Sequence, residues 1–460
     1  MNDFPNLDGA VVAFDCETDG LGRVNKPFGI SVAVSGFSAY WDLREYPNSI
    51  NWFNDQKFTR IVTANASFDY RMTNKVGMVQ PLNLFDCVIQ RACLIDEHLK
   101  SYSLDDLCDK YLGERKQSEI YPQLAALFGG RATRNVQMPN IHRAPAEIVA
   151  PYAIRDAELT LRLWNWQESE IQRQGIEDIV AFERRLMPVL IRAEMRGIRV
   201  DLDRAHEASA KLGVQVDTAQ AELEALIGDR FNVNSGPQVK ALFKPQKVNG
   251  VWVADNGATL ESTDAGAPSI DAEALRSMEG DRRAELILAV RSLIKTRDTF
   301  IEGHVIGSAV NGRVYPTINQ NKGETAGTGT GRLSYSGPAM QQIPSRNKTV
   351  ASIVKPVFLP DEGQLWVDGD MQSFEVRVFA HLVNDAHVNA AYAADPLSDF
   401  HQMVADLTGL PRNATYSGEP NAKQLNLSMI FNSGNGAIAD KMGMDWEWNS
   451  FDAGREKVTY

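Results

Sequence analysis

The stretch VVAFDCET (Val11–Thr18) decides how the first part of the chain folds. Its first four residues form a short apolar run, which is typical of a buried strand. Two carboxylates follow, Asp15 and Glu17, and because side chains alternate along a strand, both lie on the same side of the backbone. Two carboxylates held so close repel each other unless a cation joins them, although a lone Asp-x-Glu also occurs in many surface loops.

Outward from this stretch, the pattern indicates a sheet flanked by helices. Ile30, Val32 and Val34 alternate with small residues, and 61–64 is a second short strand-like run. Ser103 to Asp106 has the form of a helix N-cap, and Pro151 is suited to the first turn of a long helix that ends near Gly175. We therefore expect an α/β domain over residues 1–175.

Beyond residue 175 the chain becomes mainly helical. Residues 179–228 and 282–301 are rich in helix formers, whereas 249–266 is rich in Gly, Asp and Thr and is expected to be an exposed excursion. These features predict a helical region over 176–315, followed by a last region over 316–460.

Composition indicates a globular chain of several domains. The chain has 460 residues, is 43% hydrophobic, and contains no run of about 18 apolar residues that could span a membrane. Its four cysteines show no metal-site spacing, so we expect them to be reduced and to fill space in the core. We expect a cytosolic protein. The net charge of −12 argues only mildly against a nucleic-acid partner, because local clusters of Lys and Arg decide phosphate binding.

Two more motifs accompany Asp15 and Glu17. Asn65-Ala66-Ser67-Phe68-Asp69 follows the second strand, and Tyr152 and Asp156 lie one turn apart on the long helix. Taken singly, Tyr152 is a core aromatic and Asp156 a solvated helix charge. Together, the three motifs resemble those of the DEDDy family of 3'→5' exonucleases.

That resemblance implies a ribonuclease H-like fold with Asp15, Glu17, Asp69 and Asp156 as metal ligands. Carboxylate oxygens suit Mg²⁺ or Mn²⁺, and a pair of such ions activates a water and stabilises the leaving 3' oxygen. The resemblance assigns Tyr152 to the orientation of that water.

The second half resembles family A, or DNA polymerase I-like, DNA polymerases. Thr328–Ser334 and Gln341–Arg346 are similar to the segment that tracks the primer-template minor groove, which assigns Arg332 and Gln342 to the duplex. Residues 365–382 are similar to motif A, a palm strand that ends at the metal ligand Asp370 and leads into a helix. In isolation, Thr328–Ser334 would be only a Gly/Thr/Ser loop with an arginine.

The same resemblance assigns nucleotide contacts to Glu375, His401, Lys423 and Phe431. Glu375 matches the position that excludes a 2' hydroxyl, His401 belongs to an Asp-x-His motif, and Lys423 lies on the fingers helix of motif B. The sequence departs from the family pattern in motif B, where an arginine, an aromatic and a Tyr-Gly pair are usual. The residues found there instead are Glu419, Leu427 and Phe431-Asn432.

The implied architecture is α/β and α+β, a ribonuclease H-like exonuclease domain followed by a helical thumb and a partial palm and fingers of a right-hand polymerase. The implied partners are primer-template DNA and deoxynucleoside triphosphates, with two Mg²⁺ or Mn²⁺ ions per active site. The second palm carboxylate expected after motif B is missing, so we hypothesise a split, bacteriophage-type polymerase whose separate C-terminal chain completes the site, with a possible processivity factor. Alternatives are a stand-alone exonuclease with a degenerate polymerase platform, or a non-catalytic DNA-binding subunit.

Overall fold

The chain forms two compact units, Met1–Gln364 and Leu365–Tyr460. The structure, a computed structural model, describes residues 4–116, 118–263, 265–320, 328, 330–345, 347–414 and 419–444, and the backbone of 447–449 and 457–459. Gly329 and Arg346, which belong to the predicted DNA-tracking segment, lie outside the described residues.

A five-stranded sheet organises the first part of unit 1, in the order β3-β2-β1-β4-β5. β1 lies at its centre, antiparallel to β2 and parallel to β4. Val12, Ala13 and Phe14 are fully buried although successive side chains point to opposite faces, so both faces of β1 are covered. This confirms the predicted α/β sheet. The strands are β1 (Val11–Thr18), β2 (Pro27–Val34), β3 (Phe37–Asp42), β4 (Arg60–Thr63) and β5 (Phe85–Cys87).

Among the described residues, seven α-helices accompany the sheet, and the longest of them packs on β1, β2 and β3. This long helix begins at Ala146, so the prediction that Pro151 stands in its first turn was wrong. Pro145 is extended and precedes the first turn, and Pro151 inside the helix sacrifices only one backbone hydrogen bond. The helices are α1 (Ser49–Asp55), α2 (Ala66–Asn74), α3 (Val88–Ile95), α4 (Leu104–Leu112), α5 (Ile120–Phe128), α6 (Arg134–Gln137) and α7 (Ala146–Gln174).

The rest of unit 1 is mainly helical, as predicted, with short strands between the helices. Among the described residues, no helix is both long and apolar enough to cross a membrane. The elements are α8 (Glu177–Arg196), β6 (Ile198–Val200), α9 (Leu202–Ile227), α10 (Gly236–Phe243), β7 (Gln246–Val248), β8 (Val251–Val253), β9 (Thr259–Leu260), α11 (Ala272–Arg276), α12 (Arg282–Ile294), a π-helix (Lys295–Gly303), β10 (Arg313–Val314), β11 (Thr317–Asn319), β12 (Ser334–Ser336), α13 (Lys348–Val354) and β13 (Phe358–Leu359).

The segment 249–266 is more ordered than the expected exposed excursion. Asn249 and Gly250, both with positive φ, form the two-residue turn between β7 and β8. β9 adds a third strand, and its Leu260 is buried in a core with Phe243 and Ile287. Composition alone missed this small sheet because its Gly and Asp residues occupy turns while Ala254 and Leu260 pack in a core with residues of α10 and α12.

Unit 2 is built mostly from helices. The predicted helix after motif A is present, but the predicted palm strand is not: residues 364–371 form no strand hydrogen bonds with any described residue. A strand requires a neighbour for its backbone groups, and none of the described residues of unit 2 supplies one here. The elements are α14 (Phe374–Val383), α15 (Ala386–Ala394), α16 (Phe400–Thr408), α17 (Ala422–Ile430), α18 (Asn435–Lys441), β14 (Glu447–Asn449) and β15 (Lys457–Thr459).

Candidate functional site

Three acidic side chains meet where the end of β1 faces α7. Each of Asp15, Glu17 and Asp156 offers a carboxylate oxygen, and the three oxygens lie within 4.8 Å of one another. The alternation along β1 places Asp15 and Glu17 on one side, as the sequence predicted, and α7 brings Asp156 to them. Glu17 and Asp156 are buried and Asp15 is half-buried, so this carboxylate cluster sits in the protein rather than on its surface.

Asp69 lies beside the carboxylate cluster but outside the group of three. It is carried by α2, whose N-cap Asn65 accepts a hydrogen bond from the backbone N–H of Phe68. Asp69 is only 2% exposed, and its Oδ1 accepts a hydrogen bond from the Cys16 Sγ at 3.4 Å. Its Oδ2, like the Oδ1 of Asp156, is buried without a hydrogen-bond partner among the described residues.

Burial and mutual repulsion raise the pKa values throughout this cluster. Burial raises the pKa of Asp15 well above its usual value, and the charges of Asp69, Glu17 and Asp156 raise it further. Burial and then Asp156 raise the pKa of Glu17 to about 8, and burial raises that of Asp69 to about 7. Full ionisation of these carboxyls is therefore unfavourable without a compensating positive charge, which a bound cation would supply.

The side chain of Lys116 also reaches the carboxylate cluster, and the sequence did not predict it as a site residue. Its Nζ donates to the Oδ2 of Asp156 at 2.5 Å and lies 5.8 Å from the centre of the Tyr152 ring. Burial lowers the pKa of Lys116, but Asp156, Asp15 and Glu17 outweigh burial and leave the pKa raised, so the side chain is an ammonium. No sequence signal marks it, because Lys116 follows α4 in a non-helical segment far from the other motifs along the chain.

Tyr152 lies one turn before Asp156 on α7, as the i, i+4 spacing predicted. It is buried among Phe28, Leu124 and Ile141, with its ring packed in that small core. Burial and then the charges of Asp156 and Glu17 raise the pKa of Tyr152 far above its usual value. Its hydroxyl therefore keeps its proton at neutral pH and can donate a hydrogen bond at the edge of the cluster.

In unit 2, three of the predicted nucleotide-binding residues come near one another. His401 is buried in the first turn of α16, where Asp399 accepts hydrogen bonds from the backbone N–H groups of His401 and Gln402. Its Nδ1 lies 3.1 Å from the Nδ2 of Asn426 on α17. Burial lowers the pKa of His401, and Lys423 lowers it further while Glu375 opposes them, so both residues act electrostatically on the ring.

Arg412 joins this group and was also not predicted. Its Nε donates to the Oδ2 of Asp399 at 2.7 Å, and its carbonyl oxygen accepts a hydrogen bond from the backbone N–H of Lys423 at 3.1 Å. A guanidinium is thereby held between the first turns of α16 and α17. We call Arg412 and Lys423, which lie near His401, the cation group.

The remaining predicted polymerase residues are exposed. Asp370 lies in the segment without strand hydrogen bonds, and the only set of three or more possible metal ligands in the described part of the chain is the carboxylate cluster of unit 1. Phe431 follows the last turn of α17. Arg332 and Gln342 are exposed in unit 1, before and after β12. The structure thus groups Asp15, Glu17 and Asp156 closely, whereas Asp370 belongs to no group of three possible metal ligands in the part of the chain that it describes.

An α/β domain with a buried carboxylate cluster, followed by helical regions and a cation group, defines a polymerase that carries its own exonuclease. Comparison with known families agrees: "DNA polymerase family A" matches residues 202–449, and "3'-5' exonuclease" matches residues 3–172. The chain belongs to DNA polymerase family A and carries a 3'-5' exonuclease domain, as the sequence motifs predicted.

Its relatives include phage enzymes. The chain is 54% identical over 471 residues to the DNA polymerase DpoZ of Vibrio phage phiVC8, with 98% of this chain and 74% of that protein covered. It is 47% identical to DpoZ of Salmonella phage PMBT28, with 97% and 73% covered. Among solved structures it is similar to the POL domain of Pol1 from M. smegmatis in complex with DNA primer-template and dNTP. That match has a TM-score of 0.71 at 20% identity, covers 95% of this chain and 70% of the other, and shows the fold.

Proposed function

We propose that the carboxylate cluster of unit 1 is a DEDDy-type, two-metal exonuclease site that removes nucleotides from a DNA 3' end. The observation that carries this is the convergence of Asp15, Glu17 and Asp156 within 4.8 Å. The donor set fits Mg²⁺ or Mn²⁺, since it consists of carboxylates, and the buried, unpartnered oxygens of Asp69 and Asp156 point to an additional ligand. Asp15, Glu17, Asp69 and Asp156 would hold the ions.

The bound ions supply an activated water and charge for the leaving oxygen. The chain's own residues orient the attacking water and exclude bulk water. Tyr152, protonated and fixed by its packing, donates a hydrogen bond that orients the attacking water. The burial of Glu17 and Asp156 keeps bulk water away from the charged groups, which strengthens their interactions.

Digestion of a 5'-labelled primer-template tests this proposal. The purified chain with Mg²⁺ should shorten the primer stepwise from its 3' end, and an Asp15→Ala/Glu17→Ala variant should not. Equal shortening by both proteins would remove the carboxylate cluster from the reaction. The variant's folding is checked by its circular dichroism spectrum and melting temperature.

For unit 2 we propose a nucleotidyl-transfer site with Asp370 as a metal ligand. His401 and Lys423 contact the triphosphate of the incoming nucleotide, Glu375 excludes a 2' hydroxyl, and Phe431 packs near the base. Arg332 and Gln342 contact the primer-template duplex. The cation group supports the triphosphate assignment, because cations at the first turns of two helices favour an anion there.

Arg412 supplies the positive charge that Glu419 does not. Its backbone is hydrogen-bonded to that of Lys423 at the start of α17, where the motif B arginine is expected, while its guanidinium contacts Asp399 at the start of α16. The ion pair with Asp399 keeps it there in the absence of nucleotide. We propose that Arg412 contacts the triphosphate together with Lys423.

We propose further that another segment covers the residues around Asp370 and supplies strand hydrogen bonds and a second carboxylate. Leu365, Trp366 and Val367 are 88%, 60% and 91% exposed, a large apolar surface for consecutive residues. The separate C-terminal chain remains a prediction, and so do the processivity factor and the cytosolic location.

Primer extension tests the completing segment. The part of the phiVC8 DpoZ polymerase that this chain does not cover is added to this chain either as a separate polypeptide or fused to it. Extension with the separate polypeptide would support a split enzyme, and extension only with the fusion would contradict it while supporting completion in one chain. No extension in either form would favour the alternative of an exonuclease with a degenerate polymerase platform, for which the exposure of Asp370 is the specific observation.

A further inference from the structure

Lys116 is an ammonium placed inside a site that attracts cations. Its side chain is 25% exposed, the carboxylate of its partner Asp156 is 5% exposed, and their 2.5 Å contact lies next to the unpartnered Oδ1 of the same carboxylate. The neighbouring basic residues have other partners: Arg115 pairs with Asp109, and Arg155 pairs with Glu114. Lys116 is thus directed into the cluster rather than along the surface.

The charge of the cluster explains this placement. Burial raises the pKa of each of the four carboxyls, the neighbouring carboxylates raise those of Asp15 and Glu17 further, and Lys116 acts on all four in the opposite direction. A buried carboxylate without a counter-ion is strongly unfavourable, so an internal cation keeps these side chains in position.

We propose that Lys116 is the internal counter-ion of the carboxylate cluster and must release Asp156 when divalent ions bind. The inference rests on the metal site proposed above. The ammonium of Lys116 is hydrogen-bonded to the Oδ2 of Asp156 and lies beside the carboxylates that the metal ions require. The ammonium and the metal ions therefore compete for the same oxygen atoms. Lys116 therefore sets the divalent-ion concentration at which the exonuclease site becomes loaded, and it is a positioning residue rather than a catalytic one.

The segment that carries Lys116 is suited to such a release. It follows Gly113, which ends α4 in a left-handed conformation, and Lys116 itself belongs to no helix or strand. A lysine side chain has four rotatable carbon–carbon bonds and can leave Asp156 without movement of α7. Its partial exposure gives the released ammonium access to water.

Mn²⁺ binding to the full chain, followed by electron paramagnetic resonance, tests the inference without any measurement of cleavage. Lys116→Met keeps an unbranched side chain that is one atom shorter and removes the competing charge, so we expect Mn²⁺ to bind roughly tenfold tighter or more. The matched control is Lys110→Met. Lys110 also pairs with a carboxylate, Asp96 at 3.0 Å, and also lies over a tyrosine ring, but outside the site, so its loss should leave Mn²⁺ affinity unchanged.

Unchanged or weaker Mn²⁺ binding by Lys116→Met would overturn the inference. The Asp15→Ala/Glu17→Ala variant separates this failure from a failure of the metal site: if it binds Mn²⁺ as the unaltered chain does, the proposed site itself is wrong and the role of Lys116 falls with it. A crystal structure of the unaltered chain with Mn²⁺ gives a second readout. The Nζ of Lys116 should have left Asp156, and an intact contact beside a bound ion would contradict the release.

Discussion

The carboxylate cluster of unit 1 and Asp370 of unit 2 carry the same type of side chain in opposite surroundings. Asp15 and Glu17 extend from a central strand with neighbours on both sides, and Asp156 comes to them from a long helix packed on the same sheet. Asp370 lies in an exposed segment without strand hydrogen bonds among the described residues. The first site is therefore assembled by packing within unit 1, whereas no strand neighbour among the described residues fixes the geometry of Asp370.

The largest expected effect is on the exonuclease. Asp156→Ala removes one of the proposed metal ligands. Because a bound metal ion stabilises the transition state by several kcal/mol, we expect the rate of 3' shortening to fall roughly a thousandfold or more. Asp370→Ala is the matched control, because it removes an aspartate from the other site. Equal losses of 3' shortening in the two variants would contradict the independence of the two sites.

A smaller effect is expected from Tyr152→Phe, which removes only the hydroxyl. Because the ligands stay in place, single-turnover shortening should slow by about 10- to 100-fold, as for loss of an orienting hydrogen bond. Mn²⁺ affinity should be unchanged. A loss of Mn²⁺ binding in this variant would show that Tyr152 supports the metal site instead of the water.

In unit 2, Arg412→Ala should weaken binding of a deoxynucleoside triphosphate by about tenfold, the size expected for one charge-assisted hydrogen bond. The measurement is equilibrium titration of the chain bound to primer-template. Adding Glu419→Arg to this variant should restore much of the affinity, since the guanidinium then stands at the usual motif B position. Absence of rescue would assign Arg412 to fixing Asp399 alone, and absence of binding by the unaltered chain would refute the nucleotide site.

The smallest effect concerns stability and contrasts two aromatic residues. Trp366 is 60% exposed, so Trp366→Ser should change the free energy of unfolding by less than about 0.5 kcal/mol. Phe14 is fully buried beside Phe53, and Phe14→Ala should cost about 3–5 kcal/mol. Chemical denaturation measures both. A large cost for Trp366→Ser would mean that a partner already covers this surface.

Much of the first site followed from local rules in the sequence. Strand alternation placed Asp15 with Glu17, and helix spacing placed Tyr152 with Asp156. Lys116 and Arg412 could not be found in this way, because each meets its partner only through the tertiary fold. The Asn249-Gly250 turn carried a recognisable hairpin signal that composition obscured, and the palm strand was predicted wrongly because a strand depends on a neighbour that its own sequence does not specify.

The most direct test of a metal-dependent exonuclease on the carboxylate cluster is primer digestion with Mg²⁺. Three proteins are compared in parallel: the unaltered chain, Asp156→Ala and Asp370→Ala. We predict equal stepwise 3' shortening by the unaltered chain and Asp370→Ala, its abolition in Asp156→Ala, and its abolition in all three when EDTA removes the metal. Shortening that survives in Asp156→Ala, or that persists with EDTA, would contradict a metal-dependent exonuclease assembled on the carboxylate cluster.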